Sequence, residues 1–425
     1  MRSMVFFGTI NIKYNQGLVD MKACGLIVEY NPFHNGHLYH IQQSKRLTEA
    51  DCVIAVMSGS FLQRGEPAII DKFHRTRAAL NAGVDIMLEL PYPYAVQSSD
   101  FFAKGAVFTL DEIGVDSICF GSESGNIDYF KKAYGDFEEK KQLFQQVLKS
   151  QLNKGITFPE ASRLAYKAIG LSTEKMDLTK PNNILGFGYV KTILDYWLPI
   201  DAFTIKRTNS NYHDESITSS IASATSIRKA LLETGTITNV LKKAMPDETL
   251  VQLRKYETAA LTWHTWEHYF PLLHYRVSTM SLEDLASIHD VEEGLEYRIK
   301  KTAKTAFSFN DWMKAIKTKR YTWTRLQRIF VHILTNTTKK EMDEIRQHKT
   351  VPYIRLLGMT EKGQSYLNRY KKEFKVPLVS KITKNADPML LLEERASNAY
   401  YSILPPENKY KLSRQDFQPP MIIPS

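Results

Sequence analysis

Ala23-Cys24-Gly25-Leu26-Ile27-Val28 is an uninterrupted apolar run, and Glu29-Tyr30-Asn31-Pro32-Phe33-His34-Asn35-Gly36-His37 follows it directly. A run of that length and type reads as a buried strand, and the residues from Gly36 onward read as a helix. Three runs of the same kind recur, at 51–57 before Ser58-Gly59-Ser60, at 85–90 before Pro91, and at 117–120 before Gly121-Ser122. Helical spacing fills the gaps at 72–82 and 99–113. Strand and helix therefore alternate, and an α/β fold with a doubly wound, parallel, Rossmann-like sheet is expected. Ligands bind such sheets at the carboxyl ends of the strands, so the residues just after each run are the ones to inspect.

Helical spacing continues to 150. Lys180-Pro181-Asn182-Asn183 marks a turn before a helix over 184–197, and Phe203-Thr204-Ile205-Lys206-Arg207 reads as a last strand. The polar stretch 208–225 reads as a mobile loop. From 227 to about 384 the spacing is helical, with few strand signals and no internal repeat, and the Pro-rich tail from Leu404 is expected to be extended. This predicts an N-terminal extension over 1–20, a sheet domain over 21–230, a mainly α-helical basic domain over 231–403 and a tail over 404–425.

At 425 residues, 43% hydrophobic and 24% charged, the chain has ordinary globular composition, which excludes disorder as its main state. Its formal charge of +10 is unevenly spread. Between Lys300 and Asn385 there are 21 Lys/Arg against 6 Asp/Glu, a local +15 that leaves −5 for the remainder. A polyanionic partner is expected at that basic region. Cys24, Cys52 and Cys119 lie far apart in apolar contexts, which fits buried thiols in a reducing compartment. No apolar run reaches the roughly 20 residues of a membrane span, and Asn11 and Lys13 interrupt the N-terminal apolar stretch of any signal peptide. A cytoplasmic location with no membrane partner is expected, and the sequence leaves the oligomeric state open.

The turn after the first strand carries the sharpest chemistry. Gly36 lets backbone approach a ligand, the helix start offers free N–H groups to an anion, and His34 and His37 are spaced to face the same ligand. Imidazoles there can donate to charge on a transferring phosphoryl group. Ser223-Ala224-Thr225-Ser226-Ile227-Arg228 supplies hydroxyls and an Arg at a second helix start, suited to phosphate, although a Ser/Thr cap beside a chance Arg would look the same.

The first of these segments resembles the strand and HxGH motif of the nucleotidyltransferase superfamily, and the second resembles its Ser/Thr-rich, Arg-ending phosphate motif. With AVMSGSFLQRGEPAI, ELPYPYAVQSSDFFAKGA, FGSE, KPNNILG and IASATSIRKA, the region from about Met21 to Ala230 is similar to the bacterial tRNA(Met) cytidine acetate ligase family. Many cofactor adenylyltransferases carry Asp where this chain has Asn31, and the acetate-ligase resemblance accounts for the Asn. The pattern starts at Met21, so 1–20 reads as a misassigned start or a disordered extension.

That resemblance implies an ATP-dependent ligase that activates acetate as acetyl-adenylate and acetylates the wobble cytidine of elongator tRNA(Met). It implies ATP contacts from Ile27, Val28, Glu29, Tyr30, Asn31, Pro32, Phe33, His34, Asn35, Gly36, His37 and His40. It adds Gly121, Ser122, Asn182 and Arg207 to the same pocket. His34 and His37 would meet transition-state charge, while Ser226 and Arg228 would hold the departing pyrophosphate. Magnesium would ride on the phosphates, with no dedicated protein metal site. From the residues alone, Gly121 also reads as a turn glycine and Asn182 as a helix cap.

Two other features compete. His264-Thr265-Trp266-Glu267-His268 matches the HxxEH zinc pattern, but its aromatic surroundings read as helix core. Lys314, Lys317, Lys319, Arg320, Arg325 and Arg328 interleave with Trp312, Tyr321 and Trp323, which suits phosphate contacts with base stacking, or else a solvated helix face. The alternatives to the ligase reading are a small-molecule adenylyltransferase acting on a cofactor precursor and a non-catalytic RNA-binding protein.

Overall fold

The structure is a computed structural model and describes residues 20–207, 222–292, 294–383 and 387–424. The extension over 1–19 and most of the polar stretch, 208–221, lie outside the described residues. Five parallel strands form where the apolar runs fall: β1 (Ala23–Val28), β2 (Cys52–Ser58), β3 (Ile86–Leu90), β4 (Ser117–Ser122) and β5 (Asp201–Lys206). They stand side by side as β5-β4-β1-β2-β3, so the chain winds outward from β1 in both directions. Helices Asn35–Thr48, Lys72–Asn81, Ser99–Glu112 and Pro181–Asp195 make connections. β2 and β3 are buried along their whole length, which is why they read as apolar runs without alternation.

The sheet does not stop there. β6 (Ile354–Thr360) lies antiparallel beside β3, β7 (Leu378–Val379) pairs with its first half, and β8 (Met421–Ile423) pairs with its end. The chain leaves the sheet after β5, builds a helical block and returns to the sheet. The sequence reading missed these strands because the signal is short and set in basic, helical surroundings. The tail likewise is not simply extended. It forms a helix at Pro406–Ser413, a 3₁₀ turn at Arg414–Phe417 and β8, because Pro405 and Pro406 start a helix well.

A buried ionic cluster fastens this return. Lys72 Nζ lies 2.6 Å from Glu89 Oε1, 2.8 Å from Asp416 Oδ1 and 3.7 Å from Glu393 Oε1, all with side chains at most 2% exposed. Arg355 of β6 reaches Glu89 and Asp416 at 3.9 and 3.7 Å. Burial opposes the Lys72 charge, but the Asp416, Glu89 and Glu393 carboxyls outweigh it and hold the ammonium protonated. Burial and the neighbouring Glu89 push the Glu393 carboxyl well up, so it is the neutral member and hydrogen-bonds Glu89. Two cations then face two anions, the arrangement a buried network needs.

All three cysteines are buried and free. Within HxxEH, His264 is buried against the hydroxyls of Tyr256 and Tyr269, each at 2.5 Å. Glu267 accepts the Phe309 and Asn310 N–H groups at 2.8 and 3.0 Å, and His268 is exposed. The three side chains therefore serve packing and capping in different directions.

Candidate active site

β1 ends at a turn in which Tyr30 takes a left-handed φ of 48° and the Asn31–Pro32 peptide is cis. His34 then caps the helix Asn35–Thr48. Its Nδ1 accepts the Gly36 N–H at 3.0 Å, and His37 Nδ1 accepts the His34 N–H at 3.2 Å. Because each Nδ1 is an acceptor, each neutral ring carries its proton on Nε2. The rings stack with centroids 3.7 Å apart. Burial, then the Arg207 and Arg228 charges, lower His34 to about 3, and burial with His34 and Arg207 lowers His37 far below the usual imidazole range. At neutral pH the pair offers two Nε2–H donors and no charge.

These rings line a cavity of about 300 Å³ at the carboxyl ends of β1, β4 and β5. The cavity wall also holds Ile27, Val28, Glu29, Tyr30, Asn31, Gly36, His40, Gly121, Asn182, Arg207 and Arg228. The helix Ala224–Thr234, capped by Ser223 at 3.1 Å to the Ser226 N–H, starts at the same cavity. Two helix N-termini and several cations therefore converge there, an anion-binding arrangement. Arg228 donates to the Asn31 carbonyl at 2.9 Å and pairs with Glu66 at 3.2 Å, tying the second helix start to the HxGH turn. Asn31 Oδ1 accepts the Ile69 N–H at 2.7 Å, while its buried Nδ2 has no partner among the described residues.

Several motif residues turn elsewhere. Ser226 is buried, its hydroxyl donating to the Ser223 carbonyl at 2.9 Å, so the cavity receives Ser223 and Thr225 from that segment. The reason is helix phase: the cap falls at Ser223, which points position 226 inward. Ser122 also turns away, its hydroxyl bonding Thr204 at 2.7 Å and accepting the Gly125 N–H at 2.9 Å. Pro32 and Phe33 are packed in the turn, and Asn35 Nδ2 donates to the Lys243 carbonyl at 2.8 Å. Asn182 is not the cap of its helix. Glu123 takes that role, accepting from the Asn182 and Asn183 N–H groups at 3.2 and 2.7 Å, and Asn182 Oδ1 accepts from Arg207 at 3.2 Å.

The loop after β2 contributes Leu62, Gln63, Arg64 and Glu66, and the flanking helices add Phe102, Leu185 and Tyr189. None of these was singled out from sequence, although the loop lies where the strand-end rule directs attention. Arg75 organises it: its guanidinium donates to the carbonyls of Glu29 at 2.7 Å, Ser58 at 3.0 Å and Gly59, and its Nε to that of Ile70 at 3.2 Å. One fully buried side chain thus holds the ends of β1 and β2 together.

The basic region is arranged differently from its sequence reading. Trp312 is fully buried with its indole N–H on Thr302 at 3.0 Å, and Tyr321 is buried with its hydroxyl on the Glu292 carbonyl at 3.2 Å. Both face the core of the helical block, leaving Trp323 as the exposed aromatic of that trio. Exposed Tyr297 and Phe307 lie instead among exposed Lys301 and Lys304. Among the described residues His289, Asp290 and His332 bring metal-type ligand atoms within 4.8 Å of one another. Gln97 and Tyr92 already hold the two rings at 2.8 Å each, and the Arg325 and Arg328 charges act on Asp290, which opposes a cation there.

The HIGH Nucleotidyl Transferase family model matches residues 21–416. The tRNA(Met) cytidine acetate ligase of Oceanobacillus iheyensis is 55% identical over 403 residues, covering 95% of this chain and 100% of that protein. The Bacillus subtilis protein of the same name is 46% identical over 383 residues, covering 89% and 92%. Crystal structures of Thermotoga maritima TmcAL, apo and bound with alpha-thio ATP, match with TM-scores of 0.87 and 0.86 at 32% identity, covering 95% of this chain and 100% of theirs. With the HxGH turn, the second helix start and the sheet order all in place, the chain belongs to the HIGH nucleotidyl transferases and, within them, to the tRNA(Met) cytidine acetate ligase family.

Proposed function

We propose that this protein activates acetate with ATP as acetyl-adenylate and transfers the acetyl group to the exocyclic amine of the wobble cytidine of elongator tRNA(Met). The observation that carries the first step is the stacked His34–His37 pair, with two neutral Nε2–H donors beside two helix N-termini. ATP fits the cavity chemically: Arg207 and Arg228 supply cations, and the buried Asn31 Nδ2 supplies a donor that lacks a protein partner. Gly121, Asn182 and Arg207 serve the nucleotide, and Ser223 and Thr225 replace Ser226 as the hydroxyls near pyrophosphate.

An acetate oxygen attacks the α-phosphorus in line as pyrophosphate leaves, with the histidines meeting the charge on the transferring group. The cytidine amine then attacks the acetyl carbon and AMP leaves. The cavity carboxyls Glu29 and Glu66 are engaged by the Gln63 N–H and by Arg228, so magnesium enters on the phosphates rather than in a protein cage. The helical block presents the tRNA, with Tyr297, Phe307 and Trp323 as stacking surfaces among lysines. No helix among the described residues is long and apolar enough to cross a membrane.

Pyrophosphate release measured with and without acetate, and with and without tRNA(Met), tests the reading. Release that requires acetate, with acetylcytidine formed when tRNA is added, supports it. Release that requires a different small-molecule acceptor, or none at all, overturns it.

A further inference from the structure

The loop after β2 is a closed hairpin with two faces. Phe61 and Pro67 pair antiparallel, the Leu62 N–H donates to the Glu66 carbonyl at 2.9 Å, and the Gly65 N–H donates to the Leu62 carbonyl at 2.8 Å. Leu62, Gln63, Arg64 and Glu66 line the cavity, while Gly65 does not. Gly65 has a left-handed φ of 77° and sits against the helix Trp323–Thr335 of the basic block; a Cβ there would fall on the Arg328 backbone N and stand 2.6 Å from the Gln327 carbonyl carbon. Glycine meets both demands, that of the backbone and that of the close approach. A second tie runs through Gln63, whose Nε2 donates to the Gln97 carbonyl at 2.7 Å, and Gln97 Nε2 in turn donates to His289 Nε2 at 2.8 Å.

Glu66 follows Gly65 directly and is an acid on the wall of a cavity suited to anions. A carboxylate cannot hold a phosphate itself, since like charges repel, but it can serve one through a cation. Glu66 Oε2 accepts from Arg228 Nη2 at 3.2 Å, while Arg228 Nη1 donates to the Asn31 carbonyl at 2.9 Å. With both terminal nitrogens held, the plane of the guanidinium is fixed, and its remaining N–H donors are left for a ligand.

We propose that Glu66 is a positioning residue for pyrophosphate departure: it holds Arg228 in the orientation that meets the leaving group, and the helical block sets Glu66 in place through the seat of Gly65 on the helix Trp323–Thr335. This rests on the acetate-ligase reading of the same cavity, in which Arg228 takes the pyrophosphate. The block that presents the tRNA thereby fixes the phosphate side of the site that makes the adenylate. Glu66 touches neither substrate, and its whole effect on the reaction passes through Arg228.

The test is acetate-dependent ATP–pyrophosphate exchange by the full-length protein, with KM and kcat resolved for pyrophosphate and for acetate. Glu66→Ala should lower kcat/KM for pyrophosphate about tenfold or more while the acetate KM stays within about twofold. Glu66→Gln keeps an acceptor for Arg228 and should recover part of that loss. In an Arg228→Ala protein, which retains residual exchange, adding Glu66→Ala should cause no further loss, because the two side chains act as one. Gly65→Ala should reproduce the Glu66→Ala kinetics, again with no further loss beside Arg228→Ala; if it does not fold, the Glu66 variants decide the assignment. Wild-type pyrophosphate kinetics in Glu66→Ala, a further loss of about tenfold beside Arg228→Ala, or an equal fall for acetate and pyrophosphate that follows a lowered Tm overturns the assignment while exchange by the wild type upholds the ligase reading. Wild-type kinetics in a folded Gly65→Ala protein overturns the part given to the helical block. No acetate-dependent exchange by the wild type overturns both the assignment and the ligase reading.

Discussion

His34 and His37 stack with their ring centroids 3.7 Å apart, and a backbone N–H on each Nδ1 fixes which nitrogen of each ring carries the proton. The same contacts that cap the helix therefore leave Nε2–H as the donor of each ring. Asn at position 34 keeps a capping oxygen and loses the Nε2 donor. His34→Asn is expected to lower acetate-dependent exchange by about 10²–10³-fold, while unfolding free energy changes by less than about 1 kcal/mol. Exchange kinetics and urea denaturation on one preparation check this, and a loss of stability large enough to explain the loss of activity would assign His34 to folding alone.

Acid should unfold this protein early. Burial, the leading cause in each case, lowers His34 to about 3 and His40 to about 4, and it lowers His37, His264 and His332 far below the ordinary range. Below about pH 6.5 the unfolded chain takes up protons at these positions and the folded chain does not. The stability is thus fully present above that pH and is lost as pH falls toward the folded values, by up to about 1.4 kcal/mol per unit for each ring. Urea midpoints should drop steeply between about pH 6 and 4. A flat midpoint across that range would contradict the buried neutral rings.

What the sequence showed and what it hid divide by range. β1 and the HxGH turn are local: an apolar run, a Pro, a Gly and two histidines specify them within 15 residues, and the structure forms them at the predicted place. β6 is a strand for a distant reason, since Ile354–Thr360 becomes one by pairing with β3 and by placing Arg355 beside Glu89. Ser226 was misjudged because helix phase depends on which of Ser223 and Thr225 caps. Trp312 was misjudged because a basic, aromatic helix has the same composition whichever face is buried. Gln63 and Arg64 carry no motif; only their place after β2 points to them.

The Lys72 cluster gives two opposite expectations. Lys72→Met leaves the Glu89 and Asp416 charges buried without their shared cation and should cost about 3–5 kcal/mol. Glu393→Gln should cost less than about 1 kcal/mol, because the native acid is already neutral and Gln keeps both a donor for Glu89 and an acceptor for the Tyr92 N–H, now held at 2.8 Å. Thermal or urea denaturation of the two variants checks the contrast. Equal losses would mean that Glu393 carries a charge.

Phe307 and Tyr297 are 90% and 62% exposed beside Lys301 and Lys304, whereas Trp312 is fully buried. Stacking of unpaired bases is worth about 1–3 kcal/mol per aromatic. Phe307→Ala and Tyr297→Ala should therefore weaken tRNA(Met) binding between about 5-fold and 150-fold, with acetate-dependent exchange in the absence of tRNA as the control on folding. Lys301→Gln and Lys304→Gln should each reduce the slope of log affinity against log salt by about one. Trp312→Ala should instead lower stability by about 3–5 kcal/mol, since it empties the core of the helical block. Filter binding across a salt series separates these outcomes: tRNA affinity unchanged in Phe307→Ala and Tyr297→Ala would move the RNA surface away from this face.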